Sequence, residues 1–316
     1  MPTMPRPHRW KTLLAFAILY FVWGSTFLAI RVGVREVPPL LLAGMRFFAA
    51  GILLYAWMRA AGTASPSRRE WASVTLLAAL IFLVDYGLVF WAEQRVPSGI
   101  TAVMLATIPA FTALLEILIL RTQKLTLRLA CALVVGLVGV AVLVSRSVAF
   151  GDAPIEKSGA IALVIAAVCW SLASVLTRKL RLPESKVMSS GAQMLVGGIM
   201  LLLAATIFGE FNGFQWRTVS SGAWLALAYL TVAGSIIAFT AYIWLLHHES
   251  PTKVGTYAYV NPVIAVVLGY LLGGEALGPR TIAGTLLVLI SVVVITTTPK
   301  QVKSAALIQE TELAEP

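Results

Sequence analysis

The chain has 316 residues, 59% of them hydrophobic and only 12% charged, with a net charge of +10 and a mean hydropathy of +0.88. A soluble domain carries roughly 25% charged residues, so the composition excludes a soluble globular protein. The surplus of Lys and Arg sits in short breaks between apolar runs, which excludes a nucleic-acid-binding surface, since that needs a basic, aromatic-interleaved soluble face. The two cysteines, Cys131 and Cys169, fall in separate apolar runs, so no disulfide framework is expected and packing is their expected role.

In chain order, residues 1–11 are a polar N-terminus. The first apolar run, from Thr12 to about Ile30, is long enough to span and lacks a small-residue cleavage site, so it is not read as a signal peptide. Ten helices are predicted, at about 12–31, 39–59, 72–94, 98–120, 127–146, 157–178, 187–209, 219–246, 252–273 and 279–298. Each approaches the roughly 20 residues that cross a hydrocarbon core. Backbone groups in lipid must be satisfied within the segment, so helices are the only sensible spanning form. Residues 299–316 are polar and acidic at their end, and a disordered cytoplasmic tail is expected.

The second half of the chain repeats the first. Trp23, Arg31 and Gly51 fall on Trp170, Arg178 and Gly198 at an offset of 147. Trp91 and Pro109 fall on Trp244 and Pro262 at 153, and Leu125 and Arg128 on Leu277 and Arg280 at 152. The change of 6 must lie between the second and third helices of each half, around Ala60–Glu70 and Glu210–Ser221. Five spans per repeat place the halves upside down relative to each other. The expected fold is therefore an all-α membrane protein of two inverted five-helix repeats, 12–146 and 157–298. With the N-terminus inside, cytoplasmic segments hold 16 Lys and Arg against 7 outside, with Arg46 inside the membrane. The positive-inside rule then puts both termini in the cytoplasm. Inverted repeats with matched prolines point to a transporter whose site lies near the midplane.

Several motifs carry a family resemblance. Phe21-Val22-Trp23-Gly24-Ser25-Thr26-Phe27 opens the first repeat, and Val96-Pro97-Ser98-Gly99 runs into Ala106-Thr107-Ile108-Pro109-Ala110-Phe111-Thr112-Ala113-Leu114. The second half reads Tyr259-Val260-Asn261-Pro262-Val263, then Gly273-Gly274-Glu275-Ala276-Leu277 and Ile282-Ala283-Gly284. In order, spacing and duplication these resemble the EamA-type transporters of the drug/metabolite transporter superfamily, over roughly residues 12–298. The resemblance implies a ten-helix, pseudo-two-fold bundle around a central cavity, in a bacterial inner membrane, exporting amino acids, other metabolites or toxic compounds. One departure is plain: after its fourth helix the first half reads Leu120-Arg121-Thr122 where a Gly-Glu pair is expected.

Three ionisable residues lie inside predicted spans: Arg46, Asp85 and Glu116. Such groups are costly in lipid and are functional candidates by default. At about 1.5 Å per residue, Arg46 and Asp85 lie at similar depths, roughly 10 and 13 Å, so a salt bridge between them is expected, as a structural pair or as a substrate-carboxylate or proton site. Glu116 lies near the cytoplasmic end and is expected to reach the headgroups beside Arg121 or Lys124. Pro109 and Pro262 each remove a donor and crowd the carbonyl four residues earlier, Leu105 and Ala258, so matched cavity-lining hinges are expected.

Trp23, Tyr86, Trp170, Tyr257 and Tyr259 lie away from helix ends and can line an amphipathic pocket or simply pack. Ser25, Ser174 and Asn261 can bind substrate or hold helices together. The predicted substrate site centres on Trp23, Pro109, Trp170 and Pro262. No zinc helix, phosphate loop or Cys-x-x-Cys is present, so neither an enzyme nor a cofactor or metal is expected. The expected partners are a small-molecule substrate and the lipid bilayer, with protons as a candidate coupling ion and no nucleic acid. The leading function is export of amino acids or related metabolites by alternating access. Efflux of hydrophobic or cationic drugs is a rival, and a membrane-embedded enzyme or scaffold is a rival of another class.

Overall fold

The computed structural model describes residues 9–120, 126–144, 156–248, 254 and 256–297. Ten helices cross the bundle. The first repeat holds α1 (Arg9–Gly33), α2 (Pro39–Ala60), α3 (Arg68–Ala92), α4 (from Ser98) and α5 (Leu127–Val144). The second holds α6 (Lys157–Leu176), α7 (Lys186–Ile207), α8 (from Ser221, ending at His248), α9 (Tyr257–Gly273) and α10 (Pro279–Thr297). Eight are long and apolar enough to span a membrane, and Leu127–Leu143 and Tyr257–Gly273 are shorter apolar helices. The chain is thus an all-helical, multi-pass membrane protein of two repeats. The expected tail, the first eight residues, Arg121, Lys124 and the 145–155 connection lie outside the described residues.

Local chemistry sets the helix ends. Pro39 opens α2 as the first helical residue, where a missing N–H costs nothing. Ser67 and Glu70 form a reciprocal capping box that starts α3, and Ser185 and Ser220 accept from backbone N–H groups at the starts of α7 and α8. Gly274 ends α9 in the left-handed conformation, φ 65°, that glycine adopts without strain. Seven residues separate α2 from α3 and thirteen separate α7 from α8. The 6-residue offset change therefore falls in these two loops.

The repeats meet through a reciprocal contact. A Cβ on Gly51 of α2 would sit 2.2 Å from the Leu195 nitrogen of α7, and one on Gly198 of α7 would sit 2.3 Å from the Phe48 nitrogen of α2. These glycines are repeat mates, so each helix approaches the other at the same place, as a two-fold contact requires. Beside this crossing lies the largest buried cluster, with Leu41, Phe47, Phe82, Phe90 and Leu201. α5 and α10 pack against each other apart from it, with Gly139 close against Val288. The outer surface is apolar, as Leu137, Leu203 and Leu286 illustrate, and Cys131 lies on it while Cys169 is half-buried.

Three π-helical stretches occur among the described residues, at Glu116–Leu120 in α4 and at matching places in α3 and α8. Ala79–Tyr86 in α3 and Leu230–Ile237 in α8 are π-helical, a form that is rare and concentrates at functional sites. α4 is broken at Ala106 and Thr107, between Ser98–Leu105 and Ile108–Leu115. Pro109 cannot donate to Leu105, and Thr107 instead turns its hydroxyl to the Met104 carbonyl at 2.6 Å. The matched hinge at Pro262 does not form: α9 runs through it unbroken. The carbonyl that Pro262 crowds, Ala258, belongs to the first turn of α9, so little helix precedes the defect.

Candidate functional site

A cavity of about 230 Å³ lies between the repeats. α1 to α4 and α6 to α9 supply its walls; α5 and α10 supply none. The walls include the matched π-helical stretches of α3 and α8, through Ile81, Phe82, Asp85 and Tyr86 on one side and Gly234 and Ser235 on the other. The α4 break contributes Leu105, Ala106 and Pro109, and α9 contributes Tyr257, Asn261 and Pro262. Both residues whose carbonyls the prolines crowd, Leu105 and Ala258, line this space, where a freed carbonyl has room for a partner.

Arg46 is the cation of the cavity. It is 3% exposed. Its Nε donates to Ser235 Oγ at 2.9 Å, which ties α2 of one repeat to the π stretch of α8 in the other. Its guanidinium carbon stands 4.6, 5.5 and 5.9 Å from the ring centres of Phe47, Tyr86 and Phe90. A cation over aromatic faces gains from the ring quadrupoles, which offsets part of the cost of its burial. Nη1 of Arg46 has no hydrogen-bond partner among the described residues, and neither do Asp85 Oδ1 and Asn261 Oδ1. Buried polar atoms left unsatisfied call for an explanation, and an exchangeable ligand is one.

The expected Arg46–Asp85 ion pair is not formed. Arg46 turns to Ser235, while Asp85 Oδ1 has no hydrogen-bond partner among the described residues. Depth alone does not set facing: the π turn through 79–86 alters the angular register that α-helical spacing assumes. Glu116 also differs from expectation. It is buried, and its Oε1 pairs with Arg178 Nη2 at 2.7 Å across the repeats. Arg178 follows α6 and extends over the end of α4, so the carboxylate need not reach the headgroups.

The cavity brings together Trp23, Arg46, Asp85, Tyr86, Pro109, Trp170, Tyr257, Asn261 and Pro262. Trp23 donates Nε1 to the Gly234 carbonyl at 3.1 Å and packs its ring 5.3 and 5.2 Å from Tyr242 and Tyr257. Tyr86 and Trp170 meet edge to face at 6.0 Å. Four expected residues are not in the wall. Ser25 bonds Tyr229 Oη at 2.6 Å, and Ser174 returns its hydroxyl to the Trp170 carbonyl at 2.8 Å. Tyr259 packs against a separate apolar cluster, and Glu116 is held by Arg178. The sequence reading missed Ser235, Phe82 and Tyr242. A serine in an apolar run is weak evidence by itself, and nothing in Leu230–Ile237 marks a π turn. Among the described residues no group of three or more His, Cys, Asp or Glu could hold a metal.

Comparison with known proteins bears on this geometry. The model of the EamA-like transporter family matches residues 10–145 and again 157–297. The uncharacterized inner membrane transporter YedA of Escherichia coli K12 is 40% identical over 265 residues, which span 83% of each chain. The uncharacterized transporter YoaV of Bacillus subtilis 168 is 25% identical over 88% of this chain and 94% of its own. Protein PecM of Dickeya dadantii 3937 is 26% identical over 87% and 88%. A crystal structure of another protein, 22% identical, shares the fold at a TM-score of 0.61 over 98% of this chain and 100% of that one.

Proposed function

This chain belongs to the EamA-like transporter family, and we propose that, as a membrane transporter of that family, it exports amino acids or related small metabolites by alternating access. The membrane in this reading is the bacterial inner membrane, as for the E. coli relative, and both termini face the cytoplasm.

The observation that carries the reading is Arg46 in the inter-repeat cavity, buried and with Nη1 unpartnered. A guanidinium offers planar donors suited to a carboxylate. Asp85 Oδ1 and Asn261 Oδ1 supply acceptors for an ammonium group. The rings of Trp23, Phe82 and Tyr257 supply apolar faces for a side chain. The repeats rock about the Gly51–Gly198 crossing, and the break before Pro109 lets α4 bend as they do.

One observation favours the rival reading, efflux of hydrophobic or cationic drugs. Asp85 is not neutralised by Arg46, so the cavity also holds an acidic group among aromatic walls. Uptake into everted vesicles separates the two. With an amino-acid panel and a lipophilic cation, with and without a pH gradient, the export reading expects saturable amino-acid uptake that Arg46→Gln abolishes. Uptake of the cation alone, abolished by Asp85→Asn and not by Arg46→Gln, sinks it.

A further inference from the structure

The cavity does not account for Glu93. This side chain, just past the end of α3, is fully buried, and neither carboxylate oxygen has a hydrogen-bond partner among the described residues. It stands at the end of the bundle that the Lys and Arg bias makes the outer one. There three other glutamates cross from one repeat to the other. Glu275, after α9, accepts from Ser98 N and Oγ, both at 2.6 Å, and from Gly99 N at 3.0 Å, so it caps α4. Glu210 accepts from Leu40 N at 3.2 Å and Leu41 N at 2.8 Å at the start of α2. Glu36 accepts from Ser220 N at 2.6 Å and Oγ at 2.7 Å at the start of α8. Just below these ties Ile30 and Val89 line the cavity and are each 2% exposed, so the cavity is shut at this end. Rocking of one repeat against the other must break such ties.

Glu93 lies where its charge would act on one of them. The charged groups that reach it are Glu275, from the segment after α9, and Arg31, from α1. Arg31 donates Nη1 to the Val96 carbonyl at 2.9 Å and to the Glu93 carbonyl, its Nε has no hydrogen-bond partner among the described residues, and it makes no ion pair with the Glu93 carboxylate. Arg95, on the same loop as Glu93, lies over the Trp91 ring and 3.6 Å from Glu156. Two neighbouring carboxylates, one of them buried, are not both ionised cheaply. Glu275 accepts three hydrogen bonds, whereas neither Glu93 oxygen accepts any among the described residues. A buried carboxylate without donors costs far more than the neutral acid, so Glu93 is the one that favours a proton.

We propose that Glu93 is a proton-binding site that controls this end of the transporter. With its proton on, the 93–99 segment stays beneath Glu275 and the end is latched. When the proton passes to the adjoining water, the Glu93 carboxylate repels that of Glu275 and must hydrate, so the Ser98–Glu275 tie parts and the cavity opens. The latched state is the one that holds the extra proton. Its share is greatest at low pH, and it falls by up to about tenfold per pH unit above the ordinary glutamate value of about 4.3.

Accessibility measures this directly and needs no substrate, so its failure is separate from failure of the export reading. The full-length protein, with Cys131 and Cys169 replaced by Ala, carries a single Ile30→Cys beneath the latch and is reconstituted in proteoliposomes. A membrane-impermeant methanethiosulfonate labels it from pH 5.5 to 7.5, normalised to Asn212→Cys on an exposed loop of the same end, which corrects for thiol ionisation. The expected normalised rate rises about tenfold or more across this range. Glu93→Gln flattens the profile at the slow rate, and Glu93→Asp restores the rise. Glu275→Gln makes the rise shallower by removing the like charge. A flat profile with Glu93 intact overturns the proposal, as does an unchanged rise in Glu93→Gln. If Glu93→Gln does not fold, as judged by size exclusion, an unaltered profile in Glu275→Gln overturns it.

Discussion

Arg46 on α2 donates its Nε to Ser235 Oγ on the π stretch of α8 at 2.9 Å, which joins the two repeats by a buried charged hydrogen bond inside the membrane. The bond holds the guanidinium in the cavity wall while leaving Nη1 unpartnered. A hydrogen bond to a charged group contributes about 1.5–3 kcal/mol. Ser235→Ala is therefore expected to lower transport about tenfold or more by loosening Arg46, and Arg46→Lys to do so as severely, because an ammonium cannot keep the Ser235 bond and present a planar fork. Initial rates in everted vesicles check both. Wild-type rates in Ser235→Ala would show that this bond does not position Arg46.

Since Arg46 and Asp85 share the cavity without pairing, their substitutions should act independently. In a double-mutant cycle of Arg46→Gln and Asp85→Asn, read by thermal unfolding in detergent, the coupling energy is expected to stay within about 0.5 kcal/mol. A coupling of several times that size would restore the salt bridge.

The α2–α7 crossing tolerates no side chain. Gly51→Ala and Gly198→Ala drive a Cβ against backbone, which cannot move aside as a flexible side chain can. Each is expected to destabilise by about 1–3 kcal/mol, the usual cost of overpacking. Gly222→Ala, where the nearest atom is 3.5 Å away, is the neutral control. Equal melting temperatures for all three variants would contradict the close approach.

The Glu36–Ser220 tie has a defined acid limit. The backbone N–H of Ser220, and then its hydroxyl, hold the Glu36 carboxyl below its ordinary value. A group held low contributes fully above its ordinary value, and the contribution fades as pH falls through the lowered one. Protection of the Ser220 amide from hydrogen exchange, corrected for intrinsic rates, is expected to hold from neutral pH down to about 4.3 and to be lost progressively below it. Glu36→Gln is expected to remove that pH dependence. Loss of protection already at pH 6 would assign the step to another group.

Probing the cavity wall separates its polar residues. Asn261→Cys is expected to react with aqueous thiol reagents and to be protected by a transported amino acid, whereas Ser25→Cys and Ser174→Cys, which are half-buried outside the wall, are expected to gain no such protection. Equal protection at all three positions would mean the cavity extends around α1 and α6.

The architecture was legible in the chain because its determinants are local or repeated. Runs of apolar residues near the length of a bilayer crossing can only be helices, and the pairing of Trp23 with Trp170 and Gly51 with Gly198 carries the repeat in residue identities alone. Arg46, Asp85, Pro109 and Pro262 stood out for a similar reason, since a charge or a proline in such a run conflicts with its surroundings. Contacts between helices were decided only by the tertiary structure. The π turns through 79–86 and 230–237 rotate the remainder of each helix, so Arg46 meets Ser235 and not Asp85. The pairing of Glu116 with Arg178 and the crossing of Glu36, Glu210 and Glu275 between repeats depend on which helix ends pack together. Glu93 at the end of a span reads as an ordinary interfacial carboxylate, and only the packing of Arg31, Val96 and Glu275 around it removes it from water. Hydrophobic pattern sets which segments enter the membrane; helix facing and long-range burial are set by close packing, which no local spacing encodes.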